Sequence, residues 1–171
     1  MTLEFAKRFL RCKRGTTAVE FALVAMPFFL LLMTTLEYAL MSFASVALEE
    51  GMNQAVREVR TGQIQSSGGG VNRFKSLLCD AAGGLIDCNG ELYIDVRPFD
   101  QVGDPSSLNP LDEGEIVDSF EYSEGEADQF VLAQVFYVWE FSTPLVGHIF
   151  GNMAGGKHLL SASAFFRNEP F

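Results

Sequence analysis

Arg11-Cys12-Lys13-Arg14-Gly15-Thr16-Thr17-Ala18-Val19-Glu20-Phe21 decides how this chain is built. It is a basic stub that ends at a glycine and opens onto Phe21–Leu36, sixteen residues without a charge. With Thr16–Val19 before it and Tyr38–Ala47 after it, the run reaches the ~20 residues that cross a bilayer as a helix. One carboxylate, Glu20, stands at its start. A carboxylate in a membrane helix costs about 2.5–3.5 kcal/mol even on lenient insertion scales, so Glu20 is expected to have a role and a partner.

Outward from the run, the helix is expected to hold from Thr16 to about Arg60, with its bilayer part at about 18–42. Leu48, Met52, Ala55, Val56 and Val59 recur at three- and four-residue spacing opposite Glu49, Glu50, Asn53, Gln54, Arg57 and Glu58, an amphipathic face laid on a globular partner. At 1.5 Å per residue the rod is about 65–70 Å long. Pro27 should kink or loosen it, Glu37 should snorkel to the interface, and Thr61-Gly62 should stop it. The net charge of −10 divides unevenly: residues 1–15 carry five basic groups against Glu4, and the remainder carries seven against twenty-one acidic ones. That remainder repels phosphate backbones, which argues against nucleic acid. The basic stub predicts a single-pass protein with a cytoplasmic N-terminus and residues after about 45 translocated.

Beyond the helix, Gln63–Gly70 reads as a flexible linker and Val71–Ala82 as a short helix. Glu91–Arg97 alternates, with Leu92, Ile94 and Val96 inward and Glu91, Tyr93, Asp95 and Arg97 outward. Residues 98–128 hold ten carboxylates, no Lys or Arg, and three prolines, an acidic loop. Phe130–Phe141 and Leu159–Arg167 read as two further strands, separated by the glycine-rich Leu145–Gly156. The expected fold class is α+β: a long N-terminal helix packed on a small antiparallel sheet, with residues 71–171 forming the extracytoplasmic domain. Cys79 and Cys88, nine apart, are expected to form a disulfide there, because a zinc site would need four ligands and only His148 and His158 could complete one.

No constellation argues for an enzyme or a cofactor. Gly151-Asn152-Met153-Ala154-Gly155-Gly156-Lys157 follows the phosphate-loop pattern for seven positions, but His158 replaces the Ser or Thr that would bind magnesium, and a strand follows it. The acidic loop lacks the ligand spacing of a calcium loop, although calcium as an ordering ion stays open. The histidines and scattered serines form no nucleophile–base–orienter set. A secretory signal peptide cut near Ser45-Val46-Ala47 competes for the N-terminus, but Glu20 and Glu37-Tyr38 interrupt its layout. A plain signal anchor leaves unexplained why a carboxylate stands five residues after a glycine.

A basic leader, Gly15, four residues, Glu20 and Phe21 resemble the processing motif of type IV prepilins. Arg14 through Val24 resembles more narrowly the start of TadE-like pseudopilins of the tight-adherence (Tad/Flp) pilus system, with TadF-like components sharing the same start. Arg167-Asn168-Glu169-Pro170-Phe171 is similar to an ending in that family. The resemblance implies a pilin-like fold and removal of residues 1–15 by a prepilin peptidase cutting between Gly15 and Thr16. It also implies a non-enzymatic role in pilus biogenesis and cell adhesion. Thr16 would then carry a new α-amine one helical turn from Glu20, available to its own chain or to a neighbour. Implied partners are the peptidase, the lipid bilayer, other Tad pseudopilins and assembly proteins, and the major Flp pilin, with oligomerisation through the N-terminal helix. The implied location is the inner (cytoplasmic) membrane with a periplasmic C-terminal domain, or the pilus after processing. An uncut single-pass binding or sensing protein is the alternative.

Overall fold

A computed structural model describes residues 15–99, 110–117 and 119–171. Most of the basic leader, with Cys12, and residues 100–109 and 118 of the acidic loop lie outside the described residues. The chain divides into two compact units, Met1–Tyr38 and Ala39–Phe171.

Helix α1, Thr16–Arg60, runs through both as one 45-residue element. In the first unit its surface is apolar and uncovered: Phe21, Leu23, Val24, Met26 and Leu31 are each exposed. Thr34 and Thr35 stay compatible with that surface because their hydroxyls donate to the carbonyls of Leu30 and Leu31, at 2.8 and 2.7 Å. Pro27 lies inside the helix and has no N–H to give the carbonyl of Leu23. Glu37, expected to reach the interface, is instead only 9% exposed.

In the second unit, α1 buries Met41, Ala44, Leu48, Met52, Ala55 and Val59. Their three- and four-residue spacing puts them in one stripe, as the sequence predicts. After Gly62 comes α2, Gln63–Ser67, where the sequence reads as a flexible linker. The reason is Ile64, which is fully buried in the main core and ties the segment down. Gly62 turns the chain in the left-handed region at φ 72°, and a Cβ there would lie 2.5 Å from the ring of Phe171. Helix α3, Gly70–Ala82, buries Phe74, Leu78 and Ala82. It packs so close to α1 that a Cβ on Gly51 would stand 3.0 Å from the backbone of Leu78. Arg73 grips Glu58 of α1 with two hydrogen bonds of 3.0 and 2.8 Å, and this carboxylate raises the Arg73 pKa.

The sheet is antiparallel, β1-β4-β5, with β1 Leu92–Phe99, β4 Phe130–Trp139 and β5 His158–Arg167. Between β1 and β4 lies a small hairpin, β2 Leu111–Asp112 and β3 Glu115–Ile116. Helix α4, Pro144–Phe150, and a 3-10 turn, Ala154–Gly156, connect β4 to β5. Register runs from Leu92↔Tyr137 to Phe99↔Phe130 and from Phe130↔Arg167 to Trp139↔His158. One face of the sheet, carrying Val96, Val131, Ala133, Val135, Leu160 and Ala162, joins the α1 stripe in the main core. Each large side chain buried there contributes about 1.5–3 kcal/mol of transfer free energy.

The opposite face departs from the expected solvent surface. Phe136, Val138 and Leu159 are buried under Tyr93, Leu111, Ile116, Phe120 and Met153. Asp95, read as outward and solvated, is 1% exposed. The described part of the acidic loop causes both. Asp95 Oδ1 accepts from Arg97 Nε at 2.9 Å and from the Glu121 N–H at 2.8 Å. Arg97 also donates to the carbonyl of Ser119. The Val96 N–H bonds to Glu121 O and the Ser123 N–H to Val96 O, so this segment lies parallel beside β1.

Candidate functional site

The residues singled out by the start motif occupy the first turn and a half of α1. Gly15 precedes the helix, is exposed, and among the described residues has nothing within 4 Å of where a Cβ would stand. Thr16 is the first helical residue. Glu20 follows four residues later, on the same face, and is exposed, as is Phe21 at 72%. Among the described residues no cation lies within ion-pair distance of Glu20. The positive end of the helix dipole favours a carboxylate in this turn. The whole 18-residue apolar window of α1 is unburied, and α1 is the one described helix long and apolar enough to cross a membrane. Such a surface is consistent with a membrane anchor.

In the second unit Cys79, near the end of α3, is bonded to Cys88, with Cα atoms 6.0 Å apart. The bridged loop is docked by Ile86, which is buried, and by the Asp87 N–H donating to the Tyr137 hydroxyl at 3.2 Å. Beside it opens a groove of about 810 Å³ between Leu40, Leu85, Tyr137 and Trp139, rimmed by Asp87, Glu91 and Glu140.

The phosphate-loop-like segment takes a different shape from a phosphate cradle. Gly151 ends α4, Gly155-Gly156 sit in the 3-10 turn, and no helix starts after Lys157. The Lys157 ammonium is already held by Glu140 at 2.7 Å and Glu91 at 3.2 Å. These two carboxylates, Glu140 foremost, raise its pKa. The Nδ1 of His158 bonds Phe150 O at 2.8 Å, and His148 is exposed on α4. Among the described residues no group of three or more His, Cys, Asp or Glu is placed to hold a metal ion.

The closing motif acts as a clasp. Asn168 is 2% exposed and donates through Nδ2 to Glu124 O and Glu126 O, at 3.0 and 2.9 Å. Its N–H bonds Gln129 O, and the Glu169 N–H bonds Arg60 O at the end of α1. Glu169 also pairs with Arg60 at 3.2 Å. Three segments distant in sequence therefore meet at Asn168 and Glu169. No local periodicity announces such a junction, and the only sequence signal was the motif itself.

Residues 15–57 match the family model of TadE-like protein. The matched stretch covers about a quarter of the chain, begins at Gly15 and stops within the half of α1 that packs on the sheet. No curated protein and no solved structure matches the chain significantly.

Proposed function

We propose that this chain is a minor pseudopilin of a tight-adherence (Tad/Flp) pilus, made as a precursor and cut after Gly15. The observation that carries the reading is that the TadE-like match opens at Gly15, where an exposed, sterically open peptide bond precedes an uncovered apolar helix. Cleavage there leaves an α-amine on Thr16, one turn from Glu20. The amine and carboxylate of neighbouring subunits then pair within the apolar layer. That pairing offsets the cost of holding each charge in it and fixes the axial register of the helices. The second unit lies outside the cytoplasm, where its disulfide persists, and meets other pilus components. The chemistry is done to this protein by the peptidase, and its own work is assembly.

Mass spectrometry of the membrane-extracted chain tests this. In cells with active prepilin peptidase the mature chain should begin at Thr16, and without it at Met1. An N-terminus left intact by an active peptidase would sink the reading. Gly15→Ala should be processed better than Gly15→Leu, because the larger side chain obstructs close approach to the scissile bond. Glu20→Ala should still insert in the membrane but associate poorly with partner subunits.

A further inference from the structure

The two edges of the sheet are treated differently. In an antiparallel pair, alternate residues turn their N–H and C=O toward the neighbour and away from it. The Val138 N–H bonding Glu91 O, and the Asn168 N–H bonding Gln129 O, fix that alternation. Even-numbered residues of β1 and odd-numbered residues of β5 therefore point out of the sheet. On β1 three of the four outward positions, all but Ile94, are blunted. Leu92 N–H bonds Gly90 O, Val96 is paired to Glu121 and Ser123, and Pro98 has no N–H. On β5 the Leu159 N–H is capped by Asn152 Oδ1 at 2.8 Å. Ser161, Ser163 and Phe165 follow, all exposed, and beyond the β4 ladder no described residue bonds their backbone groups. Edges are normally blunted by charge, proline, a bulge or cover. From Leu159 to Phe166 this one carries no charge and no proline.

Along the same edge runs a groove of about 260 Å³, between Ser161, Ala162 and Ser163 on one side and Glu49, Met52 and Asn53 of α1 on the other. Small side chains leave room there. Glu49 faces it with no ion pair among the described residues.

We infer that the free edge of β5 is a docking site for an extended segment of another polypeptide, which adds as a fourth strand alongside Ser161–Phe165. Its backbone bonds the outward groups of β5. Its side chains on the α1 side are small or polar, to suit Asn53 and the serines, with a Lys or Arg directed at Glu49. A second copy of this chain fits less well. Between Leu159 and Phe166 its own β5 carries no Lys or Arg to set against Glu49. Strand addition of this kind draws affinity from main-chain hydrogen bonds and specificity from alternate side-chain pockets.

The inference rests on the assembly reading only for where the partner comes from. Amide exchange read residue by residue tests it. The full oxidised chain alone in detergent micelles is compared with the chain in native membranes of cells that carry its pilus components. Amides of Ser161, Ser163 and Phe165 should exchange at least tenfold more slowly in the membranes. Equal exchange in both overturns the inference. Protection in micelles that grows with chain concentration assigns the edge to a second copy and overturns the foreign strand.

Ser163→Pro removes an outward N–H and should lower co-purification with the pilus components at least tenfold, while Ser163→Lys, which keeps the N–H, should not. Wild-type behaviour of Ser163→Pro also overturns it. If that variant does not fold, as lost protection of β4 amides would reveal, the exchange comparison on the unaltered chain decides. Edge protection on a chain still starting at Met1 would sink the processing reading and leave this one standing.

Discussion

Reducing the Cys79–Cys88 bond is the perturbation whose magnitude follows most directly from the structure. The bridge closes a loop with a sequence separation of 9. Chain-entropy bookkeeping for a loop of this size gives about 2.6 kcal/mol of stabilisation at 25 °C, exerted by restricting the unfolded chain. The estimate applies if the native loop keeps its place without the bond. Ile86 in the core and the Asp87–Tyr137 hydrogen bond supply that independent docking. Trp139, the only tryptophan, lines the adjoining groove and reports on it. Urea unfolding of the full chain in micelles, followed by Trp139 emission, should therefore show reduction lowering stability by about 2–3 kcal/mol, with a denaturant slope equal to or slightly above that of the oxidised chain. The Cys79→Ala/Cys88→Ala chain should behave like the reduced one. A shift under about 0.5 kcal/mol would refute the loop-entropy argument, and so would a changed Trp139 spectrum before the main transition, because the loop would then owe its native place to the bond.

Other expectations rest on single contacts. Arg97→Met leaves Asp95 buried with only the Glu121 amide, and should cost about 3 kcal/mol in the same urea assay, loosening the segment beside β1. Gly62→Ala should cost about 1–2 kcal/mol from the left-handed backbone alone, and more because the Phe171 ring must move. Alkaline stability should fall from about pH 10 upward. Burial first, and then the Glu124 carboxylate, raise the Tyr122 pKa above its ordinary 10.0, while Glu140 and Glu91 raise that of Lys157 above 10.5. In both cases the folded chain keeps a proton that the unfolded chain releases, so stability present below those values is lost above them. Tyr122→Phe should flatten the decline in a pH series of unfolding midpoints.

The elements with a strong period were legible in the sequence. Leu48, Met52, Ala55 and Val59 announced the packed stripe of α1, and Leu92, Ile94 and Val96 announced the inner face of β1. What stayed hidden were groups whose environment depends on distant residues. Asp95 reads as solvated because strand alternation puts it opposite Val96. Its burial depends on the amide of Glu121 and the guanidinium of Arg97, and no local pattern encodes the former. Gln63–Ser67 reads as a linker because its polar residues outnumber Ile64, yet that one side chain is enough to fix it. The start motif was legible because its residues are consecutive. The bare edge of β5 was not, since the run Ser161-Ala162-Ser163-Ala164 acquires that character only once β4 is known to take one side of it and nothing described the other.

The order of strands also sets an order in time. The partners of the α1 stripe lie far along the chain: Val131, Ala133 and Val135 on β4, then Leu160 and Ala162 on β5. Until β4 has been made, β1 has no neighbour in the sheet, and only Ile64, α3 and the bridged loop can shelter the helix. Contacts between residues so distant close slowly, because a long loop must be ordered before it gains anything. During that interval the newest part of the chain is the stretch with ten carboxylates and no cation, and chains that all display it at that stage repel one another.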